Sequence, residues 1–248
     1  MSNTSRAFSW PSGKQAAVSL SFDDARASQI DRGIPILDAH GVRATFYVSL
    51  PALEARVEDW RAVVKMGHEI GNHSVLHPCS GNFAWSRGRA LEDYTLERMD
   101  AELDEANERI RRSLGVTPST FAYPCGQTFI GRGADLKSYV PLVAEKFVAG
   151  RLFRSETSID PAFCDLSHLP AYDGDDQPWD TYRKWIETAA SNGSWLVIAG
   201  HNVGTGGVQT TRADALEALC RYCQDPAHGI WIDTVDAVAS HIHRTRQV

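Results

Sequence analysis

His73 and His77 stand four residues apart, directly ahead of Pro78, in the stretch Gly67-His68-Glu69-Ile70-Gly71-Asn72-His73-Ser74-Val75-Leu76-His77-Pro78. On one helical turn, residues at that spacing share a face. Two neutral imidazoles so placed can grip one divalent ion such as zinc, iron, nickel or cobalt. A histidine pair alone is more often a surface accident than a metal site, but a second stretch, Ala16 to Asp24, changes the balance. It reads A-A-V-S-L-S-F-D-D, with Val18, Leu20 and Phe22 alternating with Ser19 and Ser21. That is the period of a strand with one apolar face. The strand ends in Asp23 and Asp24, whose carboxylates repel each other and are costly to bury unpaired, so the strand end calls for a cation or for solvent. The competing reading is an exposed turn or a helix N-cap. One aspartate with His73 and His77 makes a two-histidine, one-carboxylate set that leaves positions open for water and substrate.

The elements that must position these residues alternate. After Asp24, Ser28 to His40 carries Ile30, Ile34, Ile36 and Leu37 at helical intervals and stops at Gly41. Arg43 to Leu50 reads as a strand closed by Pro51, and Val57 to Met66 as an amphipathic helix ended by Gly67. Cys79 to Tyr94 has no clear period and reads as a long loop; its Trp85 could stack on a sugar ring or form a subunit contact. Thr95 to Leu114 is the clearest helix, opening at Thr95 and ending at Gly115. Phe121 to Pro124 is a short strand, and the glycine-rich loop after it lacks the Gly-Lys-Ser/Thr ending of a phosphate-binding loop. Pro141 to Gly150 is expected to be helical, with short strands at Leu152-Phe153 and between Leu166 and Tyr172. The rest reads as helix 182–190, strand 195–199, helix 213–223, strand 230–232 and helix 235–244. Strands alternating with helices predict an α/β fold with a mainly parallel sheet.

A chain of 248 residues suits a single α/β barrel domain, taken as 1–248 with 1–14 as an N-terminal arm. Hydrophobic content of 43% and charged content of 23% are those of a globular protein with a sizeable core. A net charge of −6 gives no basic footprint for nucleic acid or anionic lipid. No apolar run is long enough to cross a bilayer, and the first fifteen residues lack the apolar core of a signal peptide. The expected location is therefore the cytoplasm, although a chain trimmed at its leader would look the same. Five cysteines are an odd number and do not form a secreted disulfide framework, so all, including the Cys220-Arg221-Tyr222-Cys223 pair, are expected to be core or free thiols.

The residues resemble a known family, the polysaccharide deacetylases of the NodB-homology type, also called carbohydrate esterase family 4. Its first motif, (T/S)-F-D-D, resembles Ser21-Phe22-Asp23-Asp24; its second, H-(S/T)-x-x-H-P, resembles His73 to Pro78 at every fixed position. Phe121-Ala122-Tyr123-Pro124-Cys125-Gly126 is similar to an F-x-Y-P-x-G form of the third motif, and Leu196 to His201 to the apolar strand and histidine of the last. The resemblance implies a distorted (β/α) barrel of the NodB-homology type, with mainly parallel strands and chemistry at their C-terminal ends. It implies that Asp24, His73 and His77 hold a divalent metal, with zinc first and cobalt, nickel, iron or manganese as alternatives. It also implies that Asp23 is the general base and His201 the acid, and that Tyr123 and Cys125 bind substrate, the Cys125 backbone N–H helping to hold the oxyanion. The implied substrate is an acetylated sugar or polysaccharide, cleaved at an N-acetyl amide or, as the alternative, an O-acetyl ester. No nucleic acid or membrane partner is expected; a homo-oligomer is left open.

Two departures from the family pattern stand out. Ala122 and Tyr123 occupy the neighbourhood where many relatives carry an arginine that orients the base, so either Arg151 or Arg154 replaces it or Asp23 works without one. The motif that supplies an aspartate to the late histidine is not clear, leaving Asp173, Asp175, Asp176 and Asp180 as candidates. Two other classes compete: an iron oxygenase with the same ligand set, usually built on an all-β jelly roll, and a non-catalytic sugar-binding relative, which should have lost Asp23 or a ligand.

Overall fold

The computed structural model describes residues 8–155 and 157–246, so the first seven residues of the expected arm lie outside the described residues. Eight strands make one sheet: β1 (Ala16–Asp23), β2 (Thr45–Val48), β3 (Glu69–Asn72), β4 (Thr120–Ala122), β7 (Ala149–Arg151), β8 (Tyr172–Asp173), β9 (Trp195–Gly200) and β12 (Ile230–Ile232). Its order is β7-β4-β3-β2-β1-β9-β8, with β12 pairing with the start of β1, and every pairing in it is parallel. Two small additions are the antiparallel pair β5 (Phe129–Ile130) and β6 (Lys137–Ser138) and the parallel pair β10 (Asn202–Gly204) and β11 (Thr210–Arg212). The connections carry α1 (Ile34–Ala39), α2 (Leu50–Ala55), α3 (Val57–Lys65), α4 (Leu96–Leu114), α5 (Val140–Lys146), α6 (Trp179–Asn192), α7 (Ala213–Gln224) and α8 (Val235–Arg246).

The sheet curls into a distorted barrel. Between its ends, the segment around Leu169 bonds to β7, through Leu152 N to Leu169 O at 2.8 Å and Leu169 N to Gly150 O at 2.7 Å. Three residues on, β8 begins and pairs with β9. One face of β1 presents Val18, Leu20 and Phe22 to the helices, in the same core as Phe46, Trp60 and Leu196. The serine face is buried too, because it lines the barrel interior: Trp195 Nε1 donates to Ser19 Oγ at 3.0 Å, and Ser21 Oγ donates to the Ile198 carbonyl at 3.0 Å. Small hydroxyls with local partners suit a crowded interior where an unpaired polar group would be costly.

Several expected boundaries move. Pro51 does not close a strand; it sits in the first turn of α2, where its missing N–H costs nothing. The helix expected to run to Gly150 stops at Lys146, and Ala149–Arg151 instead forms β7, one to three residues ahead of the strand expected at Leu152-Phe153. Between Leu166 and Tyr172 a turn (Leu166–His168) precedes the two-residue β8. The helix expected from Ser28 opens with a wider turn at Gln29–Gly33 before α1. Thr95 caps α4 by accepting from Arg98 N at 3.2 Å, and Gly115 ends it in the left-handed conformation at φ 78°.

The cysteines require a correction. Cys79 and Cys125 form a disulfide, while Cys164, Cys220 and Cys223 are free. Nothing in the spacing of 46 residues announces the pair; folding brings the loops after β3 and β4 together, because those strands are neighbours. Cys220 and Cys223 pack on the buried face of α7, as core thiols should. Among the described residues no helix is long and apolar enough to cross a membrane.

Candidate active site

Parallel strands deliver their C-terminal ends to one rim, and the residues with unusual chemistry lie there. Phe22 is opposite Gly200 in the β1–β9 register, so Asp23 and His201 leave adjacent strands at the same level. Gln29 ties the two ends together, its Nε2 donating to the Asp23 carbonyl at 2.6 Å and to the His201 carbonyl at 2.9 Å.

Beyond Asp23 the chain bends sharply: Asp24 and Ala25 both have positive φ, 75° and 54°. Side chains seldom adopt this conformation without a local demand, and here it turns the Asp24 carboxylate toward the histidines. Its Oδ1 lies 3.8 Å from His73 Nε2 and 3.9 Å from His77 Nε2, and the three donor atoms all fall within 4.8 Å of one another. Oδ2 faces the other way and accepts from Arg26 Nη2 at 2.9 Å and Nε at 3.2 Å.

The two histidines do not share a helical turn. They follow β3 in an irregular loop with Ser74 and His77 at φ 63° and 51°, and their rings meet edge to face at 4.7 Å. Hydrogen bonds hold this loop in place of a helix: Asn72 Oδ1 accepts from Ser74 N at 2.7 Å, Ser74 Oγ from His77 N at 3.0 Å, and Glu102 Oε1 on α4 from Leu76 N at 2.8 Å. His73 Nδ1 is 2.9 Å from the Ala122 carbonyl. That acceptor fixes the proton on Nδ1 and leaves the Nε2 lone pair free for an ion. Burial, together with His73 alongside, pushes the His77 imidazole down to about 4, so it is a neutral donor at physiological pH. Two imidazoles and a carboxylate converging with free lone pairs are a donor set that fits a divalent metal.

A second trio, His77, Cys79 and Cys125, also lies within ligand range. Its sulfurs are joined to each other, so neither offers a thiolate.

Asp23 is nearly inaccessible, and its Oδ1 accepts from Nη2 of the fully buried Arg151. Burial alone would raise its pKa, but Arg151, with His73 and His201 nearby, holds the carboxyl below the usual range. Arg151 reaches it from the end of β7, across the barrel interior, with its guanidinium carbon 4.9 Å from the Tyr47 ring centroid. Gly71 makes room for that ring, since a Cβ there would collide with it. Arg154 is an exposed residue paired with Asp173 at 3.1 Å.

Of the four aspartates considered for His201, Asp175 is the partner. Its Oδ2 lies 2.6 Å from His201 Nδ1, and its Oδ1 accepts from the His201 N–H at 3.1 Å. Burial works against protonating His201, but the Asp175 hydrogen bond, with Asp23 and Asp24 nearby, outweighs it and raises the imidazole above its ordinary value.

The third-motif residues divide. The Tyr123 ring is buried against Phe121 and Tyr139, and its hydroxyl donates to the Ser167 carbonyl at 2.7 Å, so the side chain is committed to packing. Cys125 turns in the left-handed region at φ 54°, at the rim beside Cys79. Cys79 Sγ in turn lies 3.7 Å from His77 Nδ1. Sequence reasoning missed Gln29, Asn72 and Glu102; each acts on the site through backbone groups, and such roles leave no spacing signal.

Residues 11–132 match the family model for polysaccharide deacetylase. Among curated proteins, the chain is 32% identical over 117 residues to the uncharacterized protein YlxY of Bacillus subtilis, covering 47% of this chain and 31% of that one. It is also 32% identical over 107 residues to chitin deacetylase 1 of Cryptococcus neoformans, covering 43% and 20%. The matched segments span less than half the length of each of these relatives. The fold is similar to that of a Mycobacterium smegmatis crystal structure provisionally named a polysaccharide deacetylase, with TM-score 0.70 and 18% identity over 96% of this chain and 93% of that one.

Proposed function

As a member of the polysaccharide deacetylase family, this chain is, we propose, a metal-dependent hydrolase that removes acetyl groups from a carbohydrate, with the N-acetyl amide of an amino sugar as its first substrate class. The observation that carries this reading is the convergence of Asp24, His73 and His77 with a buried carboxylate–arginine pair on one side and a histidine–aspartate pair on the other. Zinc suits two imidazoles and a carboxylate with a position left open, and cobalt, nickel, iron or manganese would also be accepted. When bound, the ion supplies a nucleophile at neutral pH and polarises the acetyl carbonyl.

The protein's own groups then do the proton work. Asp23, ionised and fixed by Arg151, takes the proton from the attacking water. The Cys125 N–H stands at the rim as a donor to the oxygen that becomes negative in the tetrahedral species. His201, whose hold on a proton is strengthened by the Asp175 hydrogen bond, delivers a proton to the departing nitrogen. An amine leaves far more readily as a neutral molecule than as an anion, so a raised acid pKa on this side fits amide cleavage, and the name of the fungal relative points the same way. An oxygenase has no need of these two proton-handling pairs, and its usual jelly roll differs from this parallel sheet.

The test is acetate release from N-acetylated amino-sugar oligomers set beside O-acetylated glycans. Faster turnover of the amides supports the reading. Turnover confined to esters makes the protein an O-acetyl esterase instead.

A further inference from the structure

The loop between His77 and α4 holds two large aromatic side chains in solvent. Trp85 is 54% exposed and Phe83 42% exposed. Their rings are stacked with centroids 5.6 Å apart, and the Trp85 ring lies 5.9 Å from that of His77, so the pair continues outward from the candidate ligand set. Exposed aromatic area is a standing cost in water unless something covers it.

The loop that carries them is not slack. Ser86 is fully buried, and its Oγ accepts from Cys79 N at 3.0 Å and donates to the Cys79 carbonyl at 2.8 Å. Glu92 closes the other side, accepting from Ser80 Oγ at 2.6 Å and Gly81 N at 2.9 Å, and the disulfide from Cys79 pins the base. The Arg89 guanidinium carbon sits 5.7 Å from the Trp85 ring centroid and limits its rotation. A rigid loop presenting two stacked aromatics loses little entropy when a ligand settles on it.

We propose that Phe83 and Trp85 form a glycan subsite, on which a pyranose ring of the acetylated carbohydrate, one next to the sugar being cleaved, stacks through its C–H face. The proposal rests on the deacetylase reading and deepens it by naming where a polymeric substrate is gripped. A sugar ring suits the place because its apolar face matches an aromatic plane while its hydroxyls stay in water. Trp85, with its ring 5.9 Å from that of His77, stands where a ligand reaching the candidate site would pass over it.

The experiment uses the whole chain, loaded with zinc, and the variants Trp85→Ala and Phe83→Ala. Acetate release is measured on an N-acetylglucosamine oligomer and on 4-nitrophenyl acetate, with oligomer binding followed separately by calorimetry and oligomeric state by light scattering. The expected result for Trp85→Ala is a loss of about tenfold in kcat/KM on the oligomer, mainly through KM, the size a stacking contact supplies. Hydrolysis of the small ester and metal content should be unchanged. Equal kcat/KM on the oligomer, or a dimer that dissociates on Trp85→Ala, overturns the subsite. If no variant releases acetate but the calorimetric binding still vanishes with Trp85→Ala, the subsite stands and the deacetylase reading falls.

Discussion

Arg151 Nη2 donates a hydrogen bond to Asp23 Oδ1 across the barrel interior, from a strand 128 residues further along the chain. Neither group has solvent to fall back on, since the side chains are 0% and 6% exposed. A buried carboxylate in this position depends on its partner both for its charge and for its direction.

Replacing that partner should therefore disable the base without emptying the site. Arg151→Met is expected to lower turnover by about 10²-fold, the scale of a general-base contribution, while metal content stays at the wild-type level. Because methionine leaves Asp23 unpaired, Arg151→Lys serves as a second variant: it keeps the charge, loses the planar fork, and should recover folding more fully than rate. Atomic absorption beside steady-state kinetics reads both.

The two aspartates should separate in the same assays. His77→Ala is expected to lose metal and activity together, whereas Asp23→Asn keeps the metal and loses turnover, since only the first removes a donor. Equal metal loss in both variants would mean that Asp23 and Asp24 have been assigned in the wrong order.

A pH profile reports on His201. Its imidazole is raised above the ordinary value, so the protonated acid is present below that raised pKa and is lost as pH rises through it. Asp175→Asn removes the hydrogen bond that supplies the shift. The alkaline limb of kcat/KM should then move to lower pH, with little change in metal binding. An unmoved alkaline limb would show that another group sets it.

The disulfide makes a prediction about stability. Closing a loop across a sequence separation of 46 residues stabilises the folded chain by about 4 kcal/mol in the chain-entropy model. Cys79→Ser with Cys125→Ser is expected to shift the urea midpoint down accordingly. Activity should fall as well, because Cys79 neighbours His77 and Cys125 carries the rim N–H.

Residues 16–24 made the strand and its acidic end legible through local alternation, and residues 73–78 offered two histidines as candidate ligands, which the fold brings together with Asp24. The barrel followed from alternating elements and from the family resemblance. The histidine loop was not legible, because spacing of four fits a helix equally well, and it is Asn72, Ser74 and Glu102 that hold the loop instead. Arg151 could be named as a candidate but not chosen over Arg154, since Ala149 and Gly150 read locally as the end of a helix and Ala149–Arg151 becomes a strand only by pairing with β4. Asp175 was hidden among neighbouring acids for the same reason: the choice is made by β9 and β11, which bring His201 and Thr211 to its carboxylate. Contacts between distant strands leave no local periodicity.

The central claim is that a divalent ion held by Asp24, His73 and His77 is required for removal of acetyl groups from a glycan. The most direct measurement is metal content and acetate release on one preparation, before chelation, after chelation, and after zinc is restored. One ion per chain, acetate release that disappears with the ion, and recovery on its return are the expected results. Undiminished acetate release from metal-free protein would contradict the account.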